Sequence, residues 1–133
     1  RDDTVILLSP QHYHEVVQPH DTRIAAELGS VAVHFCGNGQ HQIDNMLGIP
    51  NFTCFDFGQP WMMASDVIYA KSAAQKVPLS RMRVPVEELT ATKVLEKFPT
   101  GMILTCEPES VSQARQWWQQ YLERASLKPG RAV

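Results

Sequence analysis

The sequence carries no surplus of positive charge. Its 12 Lys and Arg stand against 14 Asp and Glu, a formal net charge of −2 with a pI near 6.2, so there is no basic field to attract nucleic acid. Long apolar runs are missing as well, which excludes a bilayer-spanning helix. No signal peptide is visible; the first residue is Arg1 rather than Met, and an upstream segment is expected. Cysteine is scarce: Cys36, Cys54 and Cys106 are an odd number, too widely spaced for a disulfide scaffold. That usage fits a reducing, cytoplasmic setting, where such residues bind metal, serve in catalysis or pack. No internal repeat or low-complexity segment is present.

What remains is the composition of one globular domain. A chain of 133 residues with 44% hydrophobic content is long enough to bury a core. Thr4–Leu8 looks like a strand by composition, and Ser9-Pro10 is a helix start with proline in its first turn. A helix is expected from Gln11 to Leu28, kinked or divided by Pro19 and closed by Gly29. Strands are expected at Val31–Cys36, Asn51–Phe57, Ser80–Val84 and Met102–Cys106. Helices follow them at Gln40–Leu47, Trp61–Gln75, Val86–Phe98 and Glu109–Leu122, the last with Val111, Ala114, Trp118 and Tyr121 on one side. The βα unit thus recurs four times, and strands alternating with helices imply a parallel sheet, either an open doubly wound sheet or part of a (β/α) barrel. Residues 1–30 lead into it as loop and helix, 31–125 hold the four units, and 126–133 form a frayed tail.

In parallel α/β folds the C-terminal ends of strands carry function. Strand side chains alternate between faces, so His34 and Cys36 share one face above Ala32 while Val31, Val33 and Phe35 share an apolar one. On the second strand the same alternation groups Phe52, Cys54 and Asp56. On the third it turns Met82 and Val84 outward and leaves Arg81 and Arg83 inside. On the fourth it ends a face in Cys106. One imidazole and two thiolates from His34, Cys36 and Cys106 suit Zn²⁺ with a fourth position open for substrate or water. Such a site would generate a nucleophile at neutral pH. Asp56 could orient a metal ligand, and Arg83 could hold a carboxylate or phosphate. Cys54 reads as core, with a metal set using it in place of Cys106 as the lesser variant. The plain alternative is that His34 is a hydrogen-bonded strand histidine and the thiols pack as small hydrophobes. Gly37-Asn38-Gly39 lacks a full phosphate-binding glycine pattern and reads as a turn. Asp56-Phe57-Gly58 stands without any other kinase signature. His12, His14, His20 and His41 read as solvated; Trp117 and Trp118 as packed or at an edge; Met62 and Met63 as core filling.

The series Leu8-Ser9-Pro10, Tyr13, Glu15, Pro19, Arg23-Ile24 and then His34-Phe35-Cys36-Gly37-Asn38 resembles the uroporphyrinogen decarboxylase superfamily, most closely its corrinoid:thiol methyltransferase branch. The resemblance covers nearly the whole chain and implies the C-terminal half of a (β/α)8 TIM barrel, roughly strands five to eight. It also implies that Asp2-Asp3-Thr4 lies in the loop after a missing fourth strand, so that Thr4–Leu8 is not a strand. By that resemblance His34, Cys36 and Cys106 hold zinc, and the zinc binds a thiol substrate as thiolate. The thiolate then takes a methyl group from methylcobalamin or another methylated corrinoid on a partner protein. Asp56, Arg83 and Asn38 are the candidates for substrate contact. Two departures weigh against porphyrinogen decarboxylation. Thr105-Cys106-Glu107-Pro108 stands where the decarboxylases have Gly-His-Gly, and Arg81-Met82-Arg83-Val84-Pro85 replaces a Gly-Asn-Leu-Asp-Pro-like segment. Three readings stay open: a zinc-dependent methyltransferase-like enzyme, a metal-free decarboxylase-like enzyme holding a carboxylated substrate on Arg83, and an incomplete structural fragment. Half a barrel exposes two sheet edges and its inner face, so a homodimer or the missing N-terminal half is expected to cover them.

Overall fold

Alternating strand and helix patterns build one parallel sheet. In the computed structural model, which describes residues 2–91 and 93–125, four strands lie side by side in chain order: β1 (Val31–Phe35), β2 (Phe52–Phe57), β3 (Leu79–Arg83) and β4 (Met102–Thr105). Helices connect them, and the pairings are parallel. The tail expected from residue 126 lies outside the described residues. No helix among the described residues is long and apolar enough to cross a membrane.

The N-terminal segment is a 3₁₀ turn (Asp3–Leu7), not the strand its composition suggests. Val5 is fully buried within it, and the Asp2 amide donates to the His34 carbonyl at 2.8 Å, tying the turn to the end of β1. Ser9 then caps a helix as expected: its Oγ accepts from the His12 amide at 3.1 Å, with Pro10 at the first position. The helix runs from α1 (Pro10–His12) through a π-helical turn (Tyr13–Val17) into α2 (Gln18–Leu28). Proline has no amide hydrogen and its ring crowds the carbonyl four residues back. The wider turn ahead of Pro19 absorbs that mismatch without breaking the helix, and Gly29 ends it with φ 85°.

The chain divides into two compact units, Arg1–Met82 with Gly101–Ile103, and Arg83–Thr100 with Leu104–Val133. In the first, one face of the sheet is apolar and closed. Val33, Phe35, Phe55, Phe57 and Leu79 are buried there, and the phenyl rings of Phe35, Phe57, Phe55 and Phe52 run on from one another at centroid distances of 5.3, 5.5 and 4.6 Å. Tyr13, Ala25, Met46 from α3 (Ile43–Leu47) and Ile68 from α4 (Ser65–Ala74) complete this core. The opposite face carries Ala32, His34, Cys54 and Asp56, all exposed or half-buried. One element of the alternation reading fails. Val31 pairs with Phe52 but Ala32 with Cys54, so Thr53 is an extra residue, and Phe52 joins the apolar face against Phe55 rather than siding with Cys54 and Asp56. The helix expected at Trp61–Gln75 is interrupted as well. A 3₁₀ turn (Pro60–Met62) gives way to extended Met63, which is buried while Met62 is exposed, and α4 begins only at Ser65.

In the second unit the helix expected over Val86–Phe98 is two short ones, α5 (Val86–Thr90) and α6 (Lys93–Lys97). Thr90 turns its hydroxyl back to the Val86 carbonyl at 2.8 Å, a bond that competes with helical continuation. Helix α7 (Val111–Ala125) is anchored to α5 by Arg124, whose Nη1 donates to the Thr90 carbonyl at 2.8 Å. Its expected apolar stripe is only partly used. Leu122 is buried and Trp117 half-buried, but Val111 and Trp118 are exposed, Trp118 stacking on Tyr121.

Candidate functional site

The site grows from the end of β1. Because Phe35 is locked into the aromatic core, its neighbours His34 and Cys36 must face the other way, and both are half-buried there. The β1–β2 register sets His34 directly opposite Asp56. His34 Nδ1–H donates to Asp56 Oδ2 at 2.7 Å; a carboxylate only accepts, so this contact places the imidazole proton on Nδ1. In the neutral imidazole Nε2 then carries the lone pair, and Cys36 Sγ lies 3.6 Å from it. The other oxygen of the carboxylate, Oδ1, is 2.9 Å from Arg81 Nε, a charge contact outside hydrogen-bond alignment.

Two backbone features hold this geometry. Gly58, just past β2, donates its amide to the Phe35 carbonyl at 2.9 Å, and a Cβ placed on it would come within 2.4 Å of Cys36 Sγ. Only glycine leaves the thiol where it is. Arg81 takes the left-handed conformation, with φ 58°, which is uncommon for a residue with a side chain. That turn breaks the alternation of β3: Leu79 and Met82, three apart, are both buried, and Arg81 is sent to Asp56.

The third member comes from the N-terminal turn. The Cys36 amide donates to Asp3 Oδ1 at 2.9 Å. A carboxylate oxygen of Asp3, a ring nitrogen of His34 and Cys36 Sγ all lie within 4.8 Å of one another. The donor set fits zinc: nitrogen, sulfur and oxygen ligands bind it at about 2.0–2.3 Å, which in a tetrahedron sets ligand atoms about 3.3–3.8 Å apart. The His34–Cys36 separation of 3.6 Å already falls in that range. The Asp56–His34 contact reproduces the carboxylate support that metal-ligating histidines ordinarily carry.

The other expected residues have settings of their own. Cys106 follows β4, is half-buried and belongs to the second unit. Arg83, also in that unit and expected to hold a substrate carboxylate or phosphate, has its guanidinium on Glu107 at 2.9 Å; the arginine beside Asp56 is Arg81. Cys54 sits on the Asp56 side of β2 and donates Sγ–H to the Phe55 carbonyl at 3.2 Å. Burial, with the Asp56 charge adding to it, pushes its thiol up, away from the thiolate a metal requires. Asn38 accepts from the Gln40 amide at 3.2 Å in an ordinary turn and lines a separate cleft of about 560 Å³ with Gln40, His41, Asp44, Val67 and Lys71. His12, His14, His20 and His41 are exposed, as expected.

Asp3 and Arg81 are the two residues that reading the sequence did not single out. The Asp2-Asp3 pair beside an apolar run had no pattern tying it to β1, and Arg81 differed from Arg83 in nothing local. Compared with known protein families, curated proteins and solved structures, the chain matches none of them.

Proposed function

We propose that the chain is the zinc-binding half of a methyltransferase-like enzyme that moves a methyl group from a methylated corrinoid, carried by a partner protein, to a small thiol. The observation that carries this reading is the doubly oriented imidazole: Nδ1–H held by Asp56 at 2.7 Å while Nε2 faces Cys36 Sγ at 3.6 Å. In this reading His34 and Cys36 hold zinc. Bound zinc supplies the Lewis acidity that keeps an incoming thiol deprotonated at neutral pH. Asp56 fixes the histidine tautomer, Arg81 holds the other carboxylate oxygen at 2.9 Å, and the aromatic core behind β1 stops the pair from rotating away.

The chain-order strand sequence supports a barrel half, because a doubly wound sheet reverses its order at a switch point and this sheet does not. The exposed side chains of Ile103 on β4 and of Trp118 support a covering partner, either a second copy or an N-terminal half-barrel. The decarboxylase reading is disfavoured by Arg83, whose guanidinium already carries Glu107.

Zinc analysis of the purified chain tests the proposal. About one zinc per chain is expected, lost in Cys36→Ser and His34→Ala, with methylation of a small thiol by methylcobalamin appearing only in the zinc-loaded protein. A folded chain that takes up no zinc refutes it.

A further inference from the structure

The structure assigns Asp3 to the metal shell: we propose that Asp3, His34 and Cys36 together form a three-ligand N,O,S site for a divalent cation of the zinc class. The inference rests on the zinc reading above and goes beyond it, because that reading names only His34 and Cys36 within this unit.

Three observations carry it. First, position: the ligand atoms of the three residues already gather within 4.8 Å, and closing to tetrahedral separations of about 3.3–3.8 Å needs only side-chain adjustment. Second, restraint: Asp3 is held in place from three directions. The Asp2 amide is bonded to the His34 carbonyl at 2.8 Å, the Cys36 amide to Asp3 Oδ1 at 2.9 Å, and the 3₁₀ turn that follows is pinned by fully buried Val5. A carboxylate fixed in this way loses little rotamer freedom on binding a metal. Third, charge: a carboxylate and a thiolate beside a neutral imidazole balance the two positive charges of the ion. Its transfer to a half-buried position then leaves no net charge out of water. All three ligands lie in the Arg1–Met82 unit, and a tetrahedral ion held by them keeps one position for substrate.

The test uses the full chain and zinc alone, titrated in competition with a chromophoric chelator. Asp3→Asn is the informative variant, since its amide oxygen can still accept from the Cys36 amide while the charge and one ligand oxygen are gone. A loss of zinc affinity of at least about tenfold is expected, with the unfolding temperature of the metal-free protein unchanged. As a readout that needs no variant, carbodiimide labelling of Asp3 in the wild-type chain, mapped by mass spectrometry, is expected to fall at least about tenfold when zinc is added. Wild-type affinity in Asp3→Asn, with zinc lost in Cys36→Ser, removes Asp3 from the shell and leaves the zinc reading standing. So does Asp3 labelling that zinc does not change. A wild-type chain that binds no zinc overturns both.

Discussion

Replacing Asp56 by Asn isolates what one negative charge does for His34. The carboxylate makes two contacts: Oδ2 accepts His34 Nδ1–H at 2.7 Å, and Oδ1 lies 2.9 Å from Arg81 Nε. Asparagine has the same shape but presents His34 with either an amide oxygen or an amide NH₂. The oxygen keeps the proton on Nδ1 through a weaker, uncharged bond. The NH₂ forces the other tautomer and puts a hydrogen on Nε2, where it points at Cys36 Sγ and blocks ligation. A hydrogen bond to a charged group is worth about 1.5–3 kcal/mol. The His34 and Asp56 side chains are 19% and 26% exposed, so solvent screens part of that. Loss of such a supporting carboxylate weakens metal binding by about 10–100-fold, or about 1.4–2.7 kcal/mol, and the partial exposure favours the tenfold end. Competition titration with a zinc chelator at constant pH reads the change directly, with circular dichroism confirming that the sheet is intact. Wild-type zinc affinity in a folded Asp56→Asn protein would refute the idea that Asp56 sets the ligand tautomer.

Two further outcomes follow from single positions. Gly58→Ala puts a methyl group 2.4 Å from Cys36 Sγ; it is expected to cost about 1–3 kcal/mol of stability by overpacking and to weaken zinc uptake further by displacing the thiol, as denaturant titration and metal competition would show. Unchanged values in both would mean that the thiol has room the structure denies. Asp2 supplies a pH test: burial raises its carboxyl above the ordinary range, and its buried Oδ2 has no hydrogen-bond partner. The folded state therefore holds that proton more tightly than the unfolded chain, so ionising Asp2 costs stability as pH rises from about 3.9 through the raised value. Asp2→Asn is expected to raise the unfolding temperature at pH 7, with the gain shrinking to nothing as pH falls below about 4; a gain independent of pH would sink the assignment.

Local pattern alone determined a good deal of this protein. The period-2 alternation of Val31–Phe35 placed His34 and Cys36 together, opposite an apolar face, and the structure buries Val33 and Phe35 as that requires. Ser9, Pro10, Pro19 and Gly29 marked a helix start, an irregular turn and a stop from backbone chemistry that each residue carries wherever it occurs. The α/β class with a parallel sheet followed from strands alternating with helices.

Tertiary structure decided the rest, because neither register nor convergence over distance is a local property. The extra residue at Thr53 and the left-handed backbone of Arg81 reset the faces of β2 and β3 through pairing with their neighbours. They moved Phe52 into the core and brought Arg81 to Asp56. The segment Asp3–Leu7 has the composition of a strand, yet its amide bond to β1 and the burial of Val5 favour a tight turn. That turn carries Asp3 to Cys36, a residue 33 positions along the chain, and no spacing rule spans such a gap.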